Sequence, residues 1–245
     1  GIDGVPMKLV WADVKQDAAL TMAAYKRFKT DGAMFIFTSS TPQIKSIWGA
    51  VNEDFMPCVI LSVGLDVGFP GSTAIFSSSM NGVCLNMAVL MPFLELWNKS
   101  HTRPLKLGIV MWDSPLCVPN IPSFKAWAQD NGVELVGTEL YPATALEVKT
   151  ALGRLKAAKA DAILFDGTIP LSWRVVRDMG ELGMLPGLEV TKDGKYIWRE
   201  GGTTAIGAIQ VTSGQGWETA GKWAGYTFGQ TIPDLYPWVD LEKAP

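Results

Sequence analysis

Four places along the chain set hydroxyl, carboxylate or glycine residues where a small molecule could be held. Ser39-Ser40-Thr41 stands directly before Pro42 at the start of an expected helix. Its hydroxyls and the first unpaired backbone N–H groups form a donor-rich, weakly positive site that suits a carboxylate. The same residues would also serve as a plain helix N-cap with no ligand at all. Ser62 and Gly64 close an apolar run, where the glycine permits close backbone approach or simply makes a turn. Asp113-Ser114 and Asp166-Gly167-Thr168 close two more such runs. An aspartate there can accept from a ligand ammonium or amide, or form an ordinary Asx turn.

Other chemistries find little support. The single histidine, His101, lies in the polar stretch Asn98-Lys-Ser-His-Thr-Arg-Pro104 and reads as a solvated loop residue rather than a general base. No Gly-x-Ser-x-Gly, no Gly-x-Gly-x-x-Gly after the first strand and no phosphate-binding Gly-x-x-x-x-Gly-Lys loop occurs; Gly202-Thr-Thr-Ala-Ile-Gly207 is bounded by glycines but lacks the lysine. Cys58, Cys84 and Cys117 contain no Cys-x-x-Cys and allow one disulfide at most, or buried free thiols. Ten tryptophans against one histidine weigh against metal and Ser/His chemistry. Trp11 and Trp112, beside strand ends, are the two that could offer an apolar face to a ligand. The expectation is a binding protein, not an enzyme, with no cofactor and no metal.

The 245 residues allow one large domain or two lobes, with 48% hydrophobic and 18% charged residues, 21 basic against 24 acidic. A nucleic-acid partner is not expected without a basic excess. The longest apolar stretch, Val83 to Trp97, is broken by Asn86, Pro92 and Glu95 and so does not read as a membrane span. No secretory leader is visible at the start, Gly-Ile-Asp.

The elements that must carry these residues alternate. Apolar strands are expected at Met7 to Trp11, Ala33 to Phe37, Pro57 to Leu61, Thr73 to Ser77, Leu107 to Trp112, Glu134 to Val136 and Ala162 to Phe165. Helices are expected at Asp17 to Lys29, Ser39 to Glu53, Leu85 to Trp97, Pro122 to Asn131, Ala143 to Lys159 and Pro170 to Leu182. This rhythm predicts parallel sheets covered by helices. Phe35-Ile-Phe-Thr-Ser-Ser-Thr-Pro42 matches Ile163-Leu-Phe-Asp-Gly-Thr-Ile-Pro170 in pattern, and each follows a basic helix end, Lys26-Arg27-Phe28-Lys29 and Arg154-Leu155-Lys156. The repeat predicts two Rossmann-like lobes, 1–78 and 79–210, with 211–245 a return or C-terminal segment. A ligand is then expected between the lobes, at the carboxyl ends of strands, with Ser40 and Thr168 at equivalent positions.

The ordered series resembles type 1 periplasmic binding proteins, in particular the branched-chain amino acid (leucine/isoleucine/valine) solute-binding proteins of ABC importers. The residues that carry it are Met7 to Asp13, Asp31-Gly32, Ala33 to Phe37, Ser39-Ser40, Pro57 to Gly64, Lys106-Leu-Gly-Ile-Val-Met-Trp-Asp113, Val133-Glu-Leu-Val-Gly-Thr-Glu-Leu-Tyr141 and Leu155 to Gly167. The likeness runs from Gly1 to Gly187. It implies a periplasmic or extracellular protein, made with a signal peptide, that closes two lobes on a small amino-acid-like or carboxylate-bearing ligand. That ligand passes to a membrane permease, and the protein meets the membrane only through the permease or a lipid anchor. In that family the positions matching Ser39, Ser40, Ser62 and Gly64 grip the ligand's carboxylate and ammonium, and the position matching Thr168 covers it with an aromatic ring. Threonine stands there in this sequence, glycine stands at 64 where a hydroxyl residue is common, and Pro115-Leu-Cys-Val-Pro119 replaces a Tyr-Gly pair. The family's opening strand and long helix have no counterpart in the sequence. A sensory domain of the same fold is the alternative function, followed by an α/β hydrolase.

Overall fold

The computed structural model describes residues 4, 6–15, 17–60, 74–77, 82–167, 169–191, 193–207 and 219–229. The chain falls into two compact units, Gly1–Asn81 and Gly82–Pro245.

The first unit is built from α1 (Ala18–Thr30), β1 (Ile36–Thr38), α2 (Thr41–Glu53), β2 (Cys58–Ile60) and β3 (Ile75–Ser77). Asp17 caps α1, its Oδ1 accepting from the Leu20 N–H at 2.7 Å, and Arg27 and Lys29 complement the dipole at its end. Gly32, at φ +79°, takes the left-handed turn into β1. In α2 the spacing of Ile44, Ile47 and Val51 places all three on one buried face, with Pro42 in the first turn.

The three strands run parallel in the order β1-β2-β3. Register puts Ile36, Cys58 and Ile75 in one row and Phe37, Val59 and Phe76 in the next. Successive residues of a strand point to opposite faces. The Ile36, Cys58 and Ile60 face packs with Tyr25 of α1 and Ile44 and Ile47 of α2. On the other face Phe37 and Phe76 stand 60% and 57% exposed. The strand expected at Met7 to Trp11 does not form: that stretch is unpaired, with Leu9 and Trp11 largely exposed. Its apolar run fits a strand, but among the described residues none pairs with it.

The second unit carries α3 (Gly82–Ser100), β4 (Lys106–Trp112), α4 (Ile121–Asp130), β5 (Glu134–Tyr141), α5 (Lys149–Ala157), β6 (Ala162–Asp166), α6 (Ile169–Glu181), β7 (Leu188–Val190), β8 (Tyr196–Trp198), β9 (Thr204–Gly207) and β10 (Thr227–Gly229). Five strands form a parallel sheet in the order β10-β9-β6-β4-β5. The apolar runs of β4 and β6 are buried on both faces. On one side Val110, Ile163 and Phe165 meet Leu152, Val176 and Met179 of α5 and α6. On the other Leu107, Ile109 and Leu164 meet Leu90, Phe93 and Phe124 of α3 and α4. This is an α/β fold of parallel sheets flanked by helices.

Several boundaries differ from the sequence pattern. Asn86, Pro92 and Glu95, which interrupt the apolar run, all lie inside the single helix α3. Residues 143–148 precede α5 instead of opening it, because Arg174 and Arg177 of α6 donate to the carbonyls of Ala145 and Leu146 and hold that stretch as a strap. The glycine-bounded segment at 202–207 ends in the buried strand β9, an element the sequence pattern did not mark. His101 is not a solvated loop residue: its ring stacks on Trp97 at 3.7 Å and meets the edge of Trp198 at 4.9 Å. Cys58 and Cys117 are buried, unbridged thiols, and the Cys84 side chain lies outside the described residues. Among the described residues no helix is long and apolar enough to cross a membrane.

Candidate functional site

In the first unit the polar residues gather where β1 runs into α2. Thr38 ends the strand, and Ser40 is the N-cap of α2 in extended conformation, its side chain making no cap bond. Gln43, one turn into the helix, fills the donor cluster instead. Its Oε1 accepts from the Ser39 N–H at 3.2 Å, from the Ser39 hydroxyl at 3.4 Å and from the Thr38 hydroxyl. An amide oxygen thus sits among the donors expected to serve a carboxylate. Thr41 is fully buried in the first turn. Beside this cluster a cavity of about 250 Å³ opens between α1 and the edge of β1, lined by Thr21, Tyr25, Phe28, Ile36, Thr38 and Gln43. Tyr25 donates to Asp54 at 2.7 Å, and burial with that bond pushes its phenol well above the usual range. Ser62 and Gly64 lie outside the described residues.

In the second unit the carboxyl ends of β4, β5 and β6 bring together Trp112, Ser114, Tyr141 and Asp166. The connection after β4 turns back on itself: the Ser114 Oγ accepts from the Cys117 N–H at 3.3 Å, and both residues are buried. The Asp113 N–H donates to the Tyr141 carbonyl at 2.8 Å while its side chain is exposed. Asp166 is partly buried. Its Oδ2 accepts from Asn86 Nδ2 of α3 at 3.0 Å, and it is also bonded by the Gly167 N–H and the Asn120 side chain. Burial outweighs these bonds and raises its carboxyl to about 6. The Tyr141 hydroxyl donates to the Asp166 carbonyl at 3.3 Å, and burial pushes that phenol and the Cys117 thiol up. Gly167 is required for this approach: a Cβ there would stand 2.6 Å from the Tyr141 hydroxyl. Thr168 lies outside the described residues.

The structure therefore brings Ser39 to Gln43 in one unit, and Asn86, Asn120 and Tyr141 to Asp166 in the other, with Ser114 bonded to Cys117. Gln43, Asn86, Asn120 and Tyr141 were not singled out by the sequence. For Gln43 the signal was the Ser40-x-x-Gln spacing of a capping box, and for Asn86 it was a polar side chain in an apolar helix. Among the described residues no group of three His, Cys, Asp or Glu could hold a metal ion. The arrangement is one of fixed hydrogen-bonding groups at strand ends.

A family model described as periplasmic binding protein matches residues 1–221. No curated protein matches the chain in sequence. Among solved structures it is similar to an extracellular ligand-binding receptor from Rhodopseudomonas palustris, with a TM-score of 0.75 and 20% identity over 100% of this chain and 61% of that one. A branched-chain amino acid ABC transporter protein from Thermus thermophilus with bound valine gives a TM-score of 0.68 at 15% identity, over 86% of this chain and 50% of the other. An R. palustris ABC-transporter solute-binding protein in complex with 4-hydroxybenzoate gives 0.64 at 15%, over 81% and 49%. The chain thus spans about three fifths or less of the length of these structures.

Proposed function

The chain belongs to the periplasmic binding protein family, and from that premise we propose that it is the solute-binding component of an ABC importer working outside the cytoplasm. It takes a small amino-acid-like or carboxylate-bearing solute and delivers it to a membrane permease. The observation that supports this most is the clustering of hydrogen-bonding groups at strand carboxyl ends, Ser39 and Ser40 after β1 and Ser114 and Asp166 after β4 and β6. Open α/β sheets receive their ligands at that end. Asp113, and by sequence position Ser62, Gly64 and Thr168, complete the contact set. We assign the chain binding rather than turnover, in keeping with the solute-binding neighbours.

The test is thermal denaturation of the protein with each of a panel of L-amino acids, benzoate and 4-hydroxybenzoate. A ligand at 100 times its Kd stabilises the bound state by ~2.7 kcal/mol. At least one member should raise Tm. A folded protein that responds to none would overturn the reading.

A further inference from the structure

Apart from Asp166, the half-buried and buried carboxylates among the described residues each come with a cation. Asp161 has Arg103 at 2.6 Å, Glu139 has Arg154 at 2.5 Å, Glu189 has Arg199 at 2.5 Å and Asp54 has Lys29 at 2.5 Å. The fully buried Asp178 has both Arg177 at 2.7 Å and the Val148 N–H at 2.6 Å. Asp166 departs from this rule. Its partners are the neutral amides of Asn86, Gly167 and Asn120, and among the described residues no Lys, Arg or His pairs with it. It sits at the carboxyl end of β6, in the middle of the five-stranded sheet. The amides hold the carboxylate in place but bring no charge.

A carboxylate withdrawn from water without a counter-charge is costly, and a cation arriving beside it recovers much of that cost. We propose that Asp166 is the counter-ion for a protonated amine on the ligand, so that the solute is an amine-bearing molecule and not a simple aromatic acid. This rests on the solute-binding reading and decides between the two ligand classes bound by the similar structures. The neighbouring groups fit the role. Cys117 and Tyr141 beside Asp166 are held neutral by burial, so neither competes for the cation. The Asn120 Oδ1 is buried without a partner and is a second acceptor in the same network.

The experiment compares matched pairs on the intact chain by calorimetry. Each L-amino acid that raises Tm is measured against the same carboxylic acid without its amine, for example L-valine against 3-methylbutanoate, with benzoate alongside. The amine-bearing member should bind at least ~100-fold more tightly. Asp166→Asn should lose the amine ligand by a similar factor while its circular dichroism and cooperative melting stay those of a folded protein. Des-amino acids or benzoate binding as tightly as their amine counterparts would overturn the proposal, as would an Asp166→Asn protein that keeps its amine affinity within ~3-fold. The wild-type pair comparison needs no variant and so is immune to misfolding. A protein that responds to no compound of either class fails earlier, at the solute-binding reading, and takes this proposal with it.

Discussion

The two units solve the same packing problem to different extents. In the second, a five-stranded sheet has apolar helices against both faces, and its central strands are buried throughout. In the first, α1 and α2 pack with one face of a three-stranded sheet, and the row Phe37 and Phe76 on the other stays more than half exposed. Parallel sheets are stable when both faces are covered. The second unit therefore holds most of the cooperative core, and the first is the less protected partner. Mutations of similar chemistry should have very different effects in the two.

The largest contrast is expected between two phenylalanines on strands. Phe165 in β6 is 2% exposed among Leu152, Val176 and Met179, and Phe165→Ala should cost ~3–5 kcal/mol in urea unfolding. A loss below ~1 kcal/mol would mean that the second unit is not the tightly packed one. Asp178→Ala tests the same unit through charge. It strips the partner from Arg177 and from the buried Val148 N–H, and a loss of ~3 kcal/mol or more in the same assay is expected.

Asp166 should behave in the opposite sense. Its folded carboxyl is raised to about 6, above an unfolded value of ~3.9. Its contribution to stability is therefore fully present below pH ~4 and is lost as pH rises through about 6. In the free protein Asp166→Asn should raise Tm at pH 8, by an equivalent of up to ~3 kcal/mol, and the gain should vanish near pH 4. The groups around it do not confuse this window. Cys117 and Tyr141 beside it are pushed above neutrality by burial. Amine-ligand affinity should fall over the same range as Asp166 takes up its proton. Calorimetry at pH 5 and pH 8 that gave equal affinity would break the assignment. A residue retained at a cost to stability is what a ligand-binding role predicts and a purely structural role does not.

These two aspartates also mark how far sequence carries. The alternation of apolar strands with helices was legible from α1 to α6, because β4 and β6 are continuous apolar runs and α2 repeats Ile44, Ile47 and Val51 at helical spacing, whereas the short strands β7 to β10 carry no such run. Asp166 could be identified as a strand-end acceptor from position alone. Asp178 has its cation next to it in the sequence, Arg177, but its bond to the Val148 N–H, and the fact that among the described residues Asp166 meets only neutral amides, depend on segments 30 and 80 residues away. Met7 to Trp11 reads as a strand by composition, yet pairing needs a neighbour. The approach of Asn86 to Asp166, eighty residues later, and of Gln43 to Ser39 across a cap is set by tertiary packing and helix geometry.

The smallest effect is the most telling for the first unit. Phe37 is 60% exposed on the bare face of β1, so Phe37→Thr removes little buried area while keeping a good strand former. Its urea midpoint should correspond to a change within ~0.5 kcal/mol, the usual range for surface sites. A loss near that of Phe165→Ala would show instead that something covers this face in solution, and the contrast between the two units would fail there. Solubility provides the independent readout. Removing an aromatic from the exposed row with Phe76 should lower self-association at high protein concentration, measured by light scattering, because an apolar sheet surface left open to water is where chains adhere.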